Sequence, residues 1–166
     1  EDRVIARINE KFVRIYSLGK AGKKVGSGGI LGGAGATGYG IIDYKLRTDE
    51  RVVIMERKNA MHVELPEKVD FITIDTSWTR LEKVVPNALK NLKEGGKIIA
   101  LVKPHYEAEQ KLIRKGKLLE ELIPEVLEGV KNKLKDLGVK ILGETESPIL
   151  GEKGKNKEFL LYLKQK

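Results

Sequence analysis

The chain has 166 residues, and 40% of them are hydrophobic, enough for one core and one domain over 1–166. Lys and Arg number 32 against 24 Asp and Glu, a net charge of +8 that suits a nucleic-acid partner and equally a basic soluble protein. Cys is absent, which excludes disulfides, thiolate zinc sites and cysteine nucleophiles, and two histidines, His62 and His105, leave little for a histidine metal site. No apolar run reaches the ~18 residues of a membrane span. No signal-peptide pattern opens the chain, so a cytoplasmic protein without a membrane partner is expected.

In residues 2–18 the apolar positions Val4, Ile5, Ile8, Phe12, Ile15 and Leu18 follow steps of three and four, which predicts a helix. A turn into a strand follows at 22–25. Residues 26–40 hold eight glycines in fifteen positions. A short element at 41–46 precedes a strand at 51–55. Residues 69–74 are almost wholly apolar or β-branched and predict a buried strand. Helical spacing covers 80–92, with a kink expected at Pro86 and a stop at Glu94-Gly95-Gly96. Another apolar strand covers 98–102. A long amphipathic helix is expected over 118–137, ended by Gly138. Two final strands, 139–142 and 159–163, flank a Gly/Lys-rich loop at 151–157. Strands alternating with helices indicate an open, largely parallel α/β sheet with helices on both faces. No helix separates the last two strands, so one of them is expected to run antiparallel.

Sheets of this kind bind ligands outside the carboxyl ends of their strands. Asp75 follows the strand at 69–74, Lys103 follows the strand at 98–102, and Asn59 stands after the strand at 51–55. Asp75 could instead cap the helix at 80–92. Lys103 could be a solvated strand end, and Asn59 a turn-stabilising amide. Taken together, an acid and a lysine at the ends of neighbouring strands can orient a hydroxyl and help remove its proton.

These residues carry a family resemblance. Val69-Asp70-Phe71-Ile72-Thr73-Ile74-Asp75-Thr76-Ser77-Trp78 resembles the fourth motif of the FtsJ-like ribose methyltransferases. Leu101-Val102-Lys103-Pro104-His105-Tyr106-Glu107 resembles the Leu-Ile-Lys-Pro-Gln-Phe-Glu segment of the hemolysin TlyA subgroup, which methylates ribosomal RNA at ribose 2′-hydroxyls. Tyr39-Gly40-Ile41-Ile42-Asp43-Tyr44-Lys45-Leu46-Arg47, Glu56-Arg57-Lys58-Asn59-Ala60 and Ser147-Pro148-Ile149 fit the same subgroup in order. The resemblance runs from about 38 to 163. It implies a Rossmann-like fold with a mostly parallel seven-stranded sheet, an antiparallel last strand and S-adenosylmethionine as cofactor.

The family's catalytic set is a lysine, an aspartate, a second lysine and a glutamate. The resemblance places Asp75, Lys103 and Glu158 in it, and Lys11 less closely, through Ala6-Arg7-Ile8-Asn9-Glu10-Lys11-Phe12. It implies Lys103 at the ribose hydroxyl, Asp75 orienting it, and Glu158 and Lys11 closing the set. A lysine in a desolvated cleft beside a second cation is a candidate base, and no metal is required. Gly26, Gly28, Gly29, Gly38, Asn59 and Asp75 are the implied cofactor-binding residues, although 25–40 is too short for the family's loop, helix and strand. RNA, ribosomal RNA or a ribosomal subunit, is the implied partner. Arg7, Lys115 and Lys117 are candidate phosphate contacts within basic stretches that include 111–117 and 153–157. The small RNA-binding domain usual in the subgroup is not expected before Lys11. The competing reading is a catalytically degenerate homologue that binds RNA.

Overall fold

The computed structural model describes residues 15–17, 31–32, 47–55, 58–76, 79–148 and 156–166. Two strand pairs lie towards the start. Strand β1 (Ile15–Ser17) runs parallel to β3 (Val52–Ile54), with Tyr16 opposite Val53. The helix expected over 2–18 therefore does not reach its end. Ile15-Tyr16 is a β-branched and aromatic pair, and strand pairing overrides a three-four spacing there. Strand β2 (Leu31–Gly32) arises inside the glycine-rich stretch and pairs in parallel with the end of β4 (Val69–Asp75).

The main sheet among the described residues has five strands in the order β2-β4-β5-β9-β8. Strand β5 (Leu92–Val102) is parallel to β4. Strand β9 (Phe159–Gln165) is antiparallel to both β5 and β8 (Val139–Glu146). The sheet is mixed, with the last strand reversed. The expected single sheet of seven strands is not assembled among the described residues, where β1 and β3 form a separate pair.

The core explains these elements. Ile72 and Ile74 of β4, Ile98, Ala100 and Val102 of β5, and Leu161 and Leu163 of β9 alternate with less buried neighbours and are all buried. This period of two gives the sheet one dry face. Helix α1 (Leu81–Asn91) supplies Leu81, Val84, Val85 and Ala88 to the same cluster. Helix α3 (Ile123–Asp136), which follows a short α2 (Pro104–Glu107), supplies Ile123, Leu127, Val130 and Leu134. Both sets follow helical spacing. Burial of each Leu, Ile or Val side chain contributes ~1.5–3 kcal/mol.

Two predicted boundaries move. Helix α1 runs through Pro86 and passes directly into β5 at Leu92. Gly95 and Gly96 do not stop the helix. They form a bulge, because pairing steps from Val69–Leu92 to Phe71–Lys97. Gly95 has φ +73°, and a Cβ at Gly96 would stand 2.7 Å from Leu92 Cγ. Helix α3 begins at Ile123 rather than 118, with Pro124 in its first turn, where a missing N–H costs nothing. Gly138, at φ +80°, takes the left-handed position just past its end.

Candidate functional site

The topology gathers three ionisable residues at one edge. Strands β2, β4 and β5 are parallel, so their carboxyl ends lie together. Asp75 is the last residue of β4, and Lys103 follows the last residue of β5. Strand β9 is antiparallel, so its beginning faces that edge. Phe159 pairs with Val102, which sets Glu158 beside Lys103 in the chain register. The Glu158 carbonyl accepts the Ser147 N–H at 2.8 Å, tying this start to the end of β8.

Lys103 Nζ donates to Asp75 Oδ1 at 2.6 Å. The lysine side chain is 14% exposed and the aspartate 43%. Lys103 is therefore not a solvated strand end, and its charge is directed at Asp75. Pro104 helps to fix this, since a residue before proline is held extended, and Lys103 has φ −112° and ψ 93°. Burial pushes the half-buried Glu158 carboxyl above the ordinary carboxylate range. Lys103 pulls it down and Asp75 pushes it up, so all three residues share one electrostatic site.

Asp75 does not cap α1. The N-cap residue Arg80 supplies no side-chain cap. The helix's first N–H, from Leu81, donates instead to Glu107 Oε1 at 2.9 Å, and Arg80 Nη2 donates to the Ala108 carbonyl at 3.2 Å. The segment after Asp75 is thereby bound to the segment after Lys103. Thr76 Oγ1 donates to the Thr79 carbonyl at 2.9 Å and tightens the turn between strand and helix. Glu107 is a functional candidate that sequence reasoning passed over. Its acidic position in the Lys-Pro motif is visible, but its partner lies 26 residues earlier. Burial raises its carboxyl above the usual range against the pull of Leu81 N–H, Arg80 and Lys133, with Glu82 adding to the rise.

His105 is a second residue without an assigned role. Its ring lies 4.2 Å from that of Tyr106, tilted by 46°, and its buried Nδ1 has no hydrogen-bond partner among the described residues. Burial first, and Lys103 second, push its imidazole below the ordinary value.

Asn59 is exposed, and its Oδ1 accepts the Met61 N–H at 2.9 Å. It therefore shapes its own turn, whatever else it binds. That turn is anchored by the buried Asn87 of α1, whose Nδ2 donates to the Ala60 and Val63 carbonyls at 2.9 and 2.8 Å. Lys115 and Lys117 sit on the antiparallel hairpin β6 (Ile113–Arg114) and β7 (Lys117–Leu118). Arg7, Lys11, Gly26, Gly28, Gly29 and Gly38 lie outside the described residues. Among the described residues no cluster of three His, Asp or Glu is placed to hold a metal, and no helix is long and apolar enough to cross a membrane.

An acid–lysine pair at adjacent strand ends, with a half-buried glutamate within electrostatic reach of both, can bind a hydroxyl and handle its proton. Residues 24–165 match the model of the FtsJ-like methyltransferase family. Hemolysin A of Brachyspira hyodysenteriae is 34% identical over 134 residues, which is 75% of this chain and 54% of that protein. The 16S/23S rRNA (cytidine-2′-O)-methyltransferase TlyA of Mycobacterium tuberculosis is 31% identical over 137 residues, 79% of this chain and 50% of its own length. The chain thus spans about half the length of these curated relatives. The crystal structure of a hemolysin-like protein from Lactococcus lactis superposes with a TM-score of 0.72 at 30% identity, covering 80% of this chain and 64% of that one. The family model covers most of the sequence and takes in both strand-end motifs, so the chain belongs to the FtsJ-like methyltransferase family, in the group that includes TlyA and the hemolysin-like proteins.

Proposed function

We propose that the chain methylates RNA, transferring a methyl group from S-adenosylmethionine to a ribose 2′-hydroxyl of ribosomal RNA. The observation that carries this reading is the 2.6 Å contact between Lys103 and Asp75 at the ends of adjacent parallel strands. A ribose hydroxyl is a weak acid and a weak nucleophile. Its oxygen must approach a methyl group in line while its proton is removed. Lys103, as the neutral amine, stands at the hydroxyl and receives the proton, becoming the ammonium. Asp75 aims the amine, and Glu158, across from both, balances its charge and orients the sugar. Lys11 closes the set.

The residues at this edge fit the cofactor. Asp75 offers a partly exposed carboxylate to a cationic, amine-bearing ligand, and Asn59 offers an exposed amide to a base edge. Gly26, Gly28, Gly29 and Gly38 would complete the binding loop, where glycine permits close backbone approach. When bound, S-adenosylmethionine supplies an electrophilic methyl group. The assignment to this reaction draws support from TlyA, which is named for cytidine 2′-O-methylation.

The test is direct. The full chain is incubated with isotopically labelled S-adenosylmethionine and ribosomal RNA, and the digested nucleosides are separated by mass. Label on a ribose 2′-oxygen supports the proposal. Label on a base assigns a different reaction. No label, with no calorimetric heat on adding S-adenosylmethionine, leaves an RNA-binding homologue.

A further inference from the structure

The β6–β7 hairpin carries a concentration of charge that the catalytic edge does not use. Arg114, Lys115 and Lys117 are exposed, and none of them forms an ion pair among the described residues. Neighbouring cations differ. Lys111 is paired with Glu109 at 2.7 Å and Lys157 with Glu120 at 3.4 Å. Among the described residues, the cations of the hairpin tip stay uncompensated where Lys111 and Lys157 are paired.

The tip is held in place. Ile113 packs against the core and Leu118 is buried in it. Strand β7 packs on α2, the element that begins just after Lys103. Asn156 Nδ2 donates to the Gly116 carbonyl at 3.1 Å, and Asn156 precedes Glu158 by two residues. With ~3.8 Å between successive Cα atoms, the residue that clips the tip lies within ~7.6 Å of Glu158 along the chain. The hairpin therefore stands next to both segments that carry the catalytic candidates.

The turn also has an unfavourable residue at its apex. Lys115 has φ +51° and Gly116 φ +77°, so both central residues of this two-residue turn are left-handed. Such turns favour Asn-Gly or Gly-Gly. Lys115 is the one non-glycine residue with positive φ among the described residues. A lysine there is conformationally disfavoured, and among the described residues it gains no ion pair in return. Its charge at the apex is left available to a partner.

We infer that the 113–118 hairpin is a docking arm for the sugar–phosphate backbone of RNA beside the methylated nucleotide, with Arg114, Lys115 and Lys117 each neutralising a phosphate. This rests on the RNA substrate proposed above and adds where the strand is gripped. Backbone contacts of this kind set register and carry no base specificity.

The test is binding of the full chain to a fluorescent single-stranded RNA over a range of salt. In the R114A/K115A/K117A variant the slope of log affinity against log salt should fall in magnitude by about 2, from ~0.7 per phosphate contact. Lys115→Gly separates charge from turn structure. It should lower the slope by ~0.7 while holding or raising the melting temperature, because glycine suits the turn. Unchanged slopes in folded variants overturn the inference. So does hairpin-dependent binding to anionic phospholipid vesicles combined with hairpin-independent RNA binding. Both readouts are independent of methyl transfer. A chain that transfers no methyl group but loses salt dependence on these substitutions keeps the docking arm and loses the enzyme reading.

Discussion

Glu107 caps a helix to which it does not belong, accepting the Leu81 N–H at 2.9 Å from the short helix that follows Lys103. The first turn of a helix has donors without internal partners, and an acceptor there is worth ~0.5–2 kcal/mol. Glu107→Ala should therefore lower the melting temperature by about 1–8 °C in a chain of this size. Glu107→Gln keeps an acceptor oxygen and should restore most of the loss. The pH dependence has a definite sign. Burial holds the folded Glu107 carboxyl above its unfolded value of 4.5. Its contribution is full below 4.5 and is lost as pH rises through the raised folded value. Glu107→Gln should flatten stability in that window. A Gln variant as unstable as Ala, with the same pH dependence as the parent, would sink the capping role.

Lys103→Ala should remove methyl transfer while leaving the melting temperature nearly unchanged. General acid–base groups contribute ~10²–10⁴ in rate, so the loss is easily read in a label-transfer assay. Asp75→Asn should lower kcat in the same way, because Lys103 then loses the carboxylate that aims it. Since Asp75 does not cap α1, its replacement should cost little stability. Parent-like transfer by both variants would leave the strand-end pair without a catalytic part.

Much of this edge was legible in the sequence. The runs at 69–74 and 98–102 announce strands, and their terminal Asp75 and Lys103 are brought to 2.6 Å. The antiparallel β9 follows from two final strands with no helix between them, and it brings Glu158 to the same edge. The errors have physical causes. A three-four spacing through Ile15 reads as helix, but partner strands decide short β-branched segments. Gly95-Gly96 reads as a helix stop, but only the register against β4 reveals a bulge. Residues 117–122 share the apolar spacing of α3, yet turn chemistry at Lys115-Gly116 and Pro124 separates them from it. The Glu107–Leu81 bond joins residues far apart in the chain and left no local signal.

Glu158 gives the transfer reaction an acid limb. Its carboxyl is raised by burial, less the pull of Lys103. Only the ionised form balances the lysine. Activity should fall as pH drops through a value above the ordinary 4.5. Glu158→Gln should reduce kcat and remove that limb. The stability contribution runs the opposite way, present below 4.5 and lost as pH rises through the folded value. An acid limb that persists in the Gln variant assigns it to another group.

Asn87 should couple stability to cofactor affinity. Asn87 is 7% exposed, and its side chain donates to the carbonyls of Ala60 and Val63, residues only 1% and 5% exposed. Asn91 also donates to Val63 at 3.1 Å, and its Oδ1 accepts the Leu65 N–H at 2.9 Å. In Asn87→Ala the Val63 carbonyl keeps Asn91, whereas the Ala60 carbonyl is left buried without its side-chain donor. Such a loss costs ~1–3 kcal/mol, a melting-temperature drop of about 2–12 °C. The turn that Asn87 grips is the one built on Asn59, whose backbone carbonyl accepts the His62 and Val63 N–H groups at 3.0 and 2.9 Å. Loosening it should speed hydrogen exchange at His62 and Val63 more than at the Ile98 and Ala100 amides of β5. The proposed adenine contact at Asn59 should weaken with it, while Lys103 and Asp75, held from other strands, remain paired. Calorimetry on Asn87→Ala should therefore show weaker binding of S-adenosylmethionine at a temperature well below its melting point. Parent-like affinity together with fast exchange at His62 and Val63 would remove Asn59 from the cofactor site and leave Asn87 a purely structural clamp.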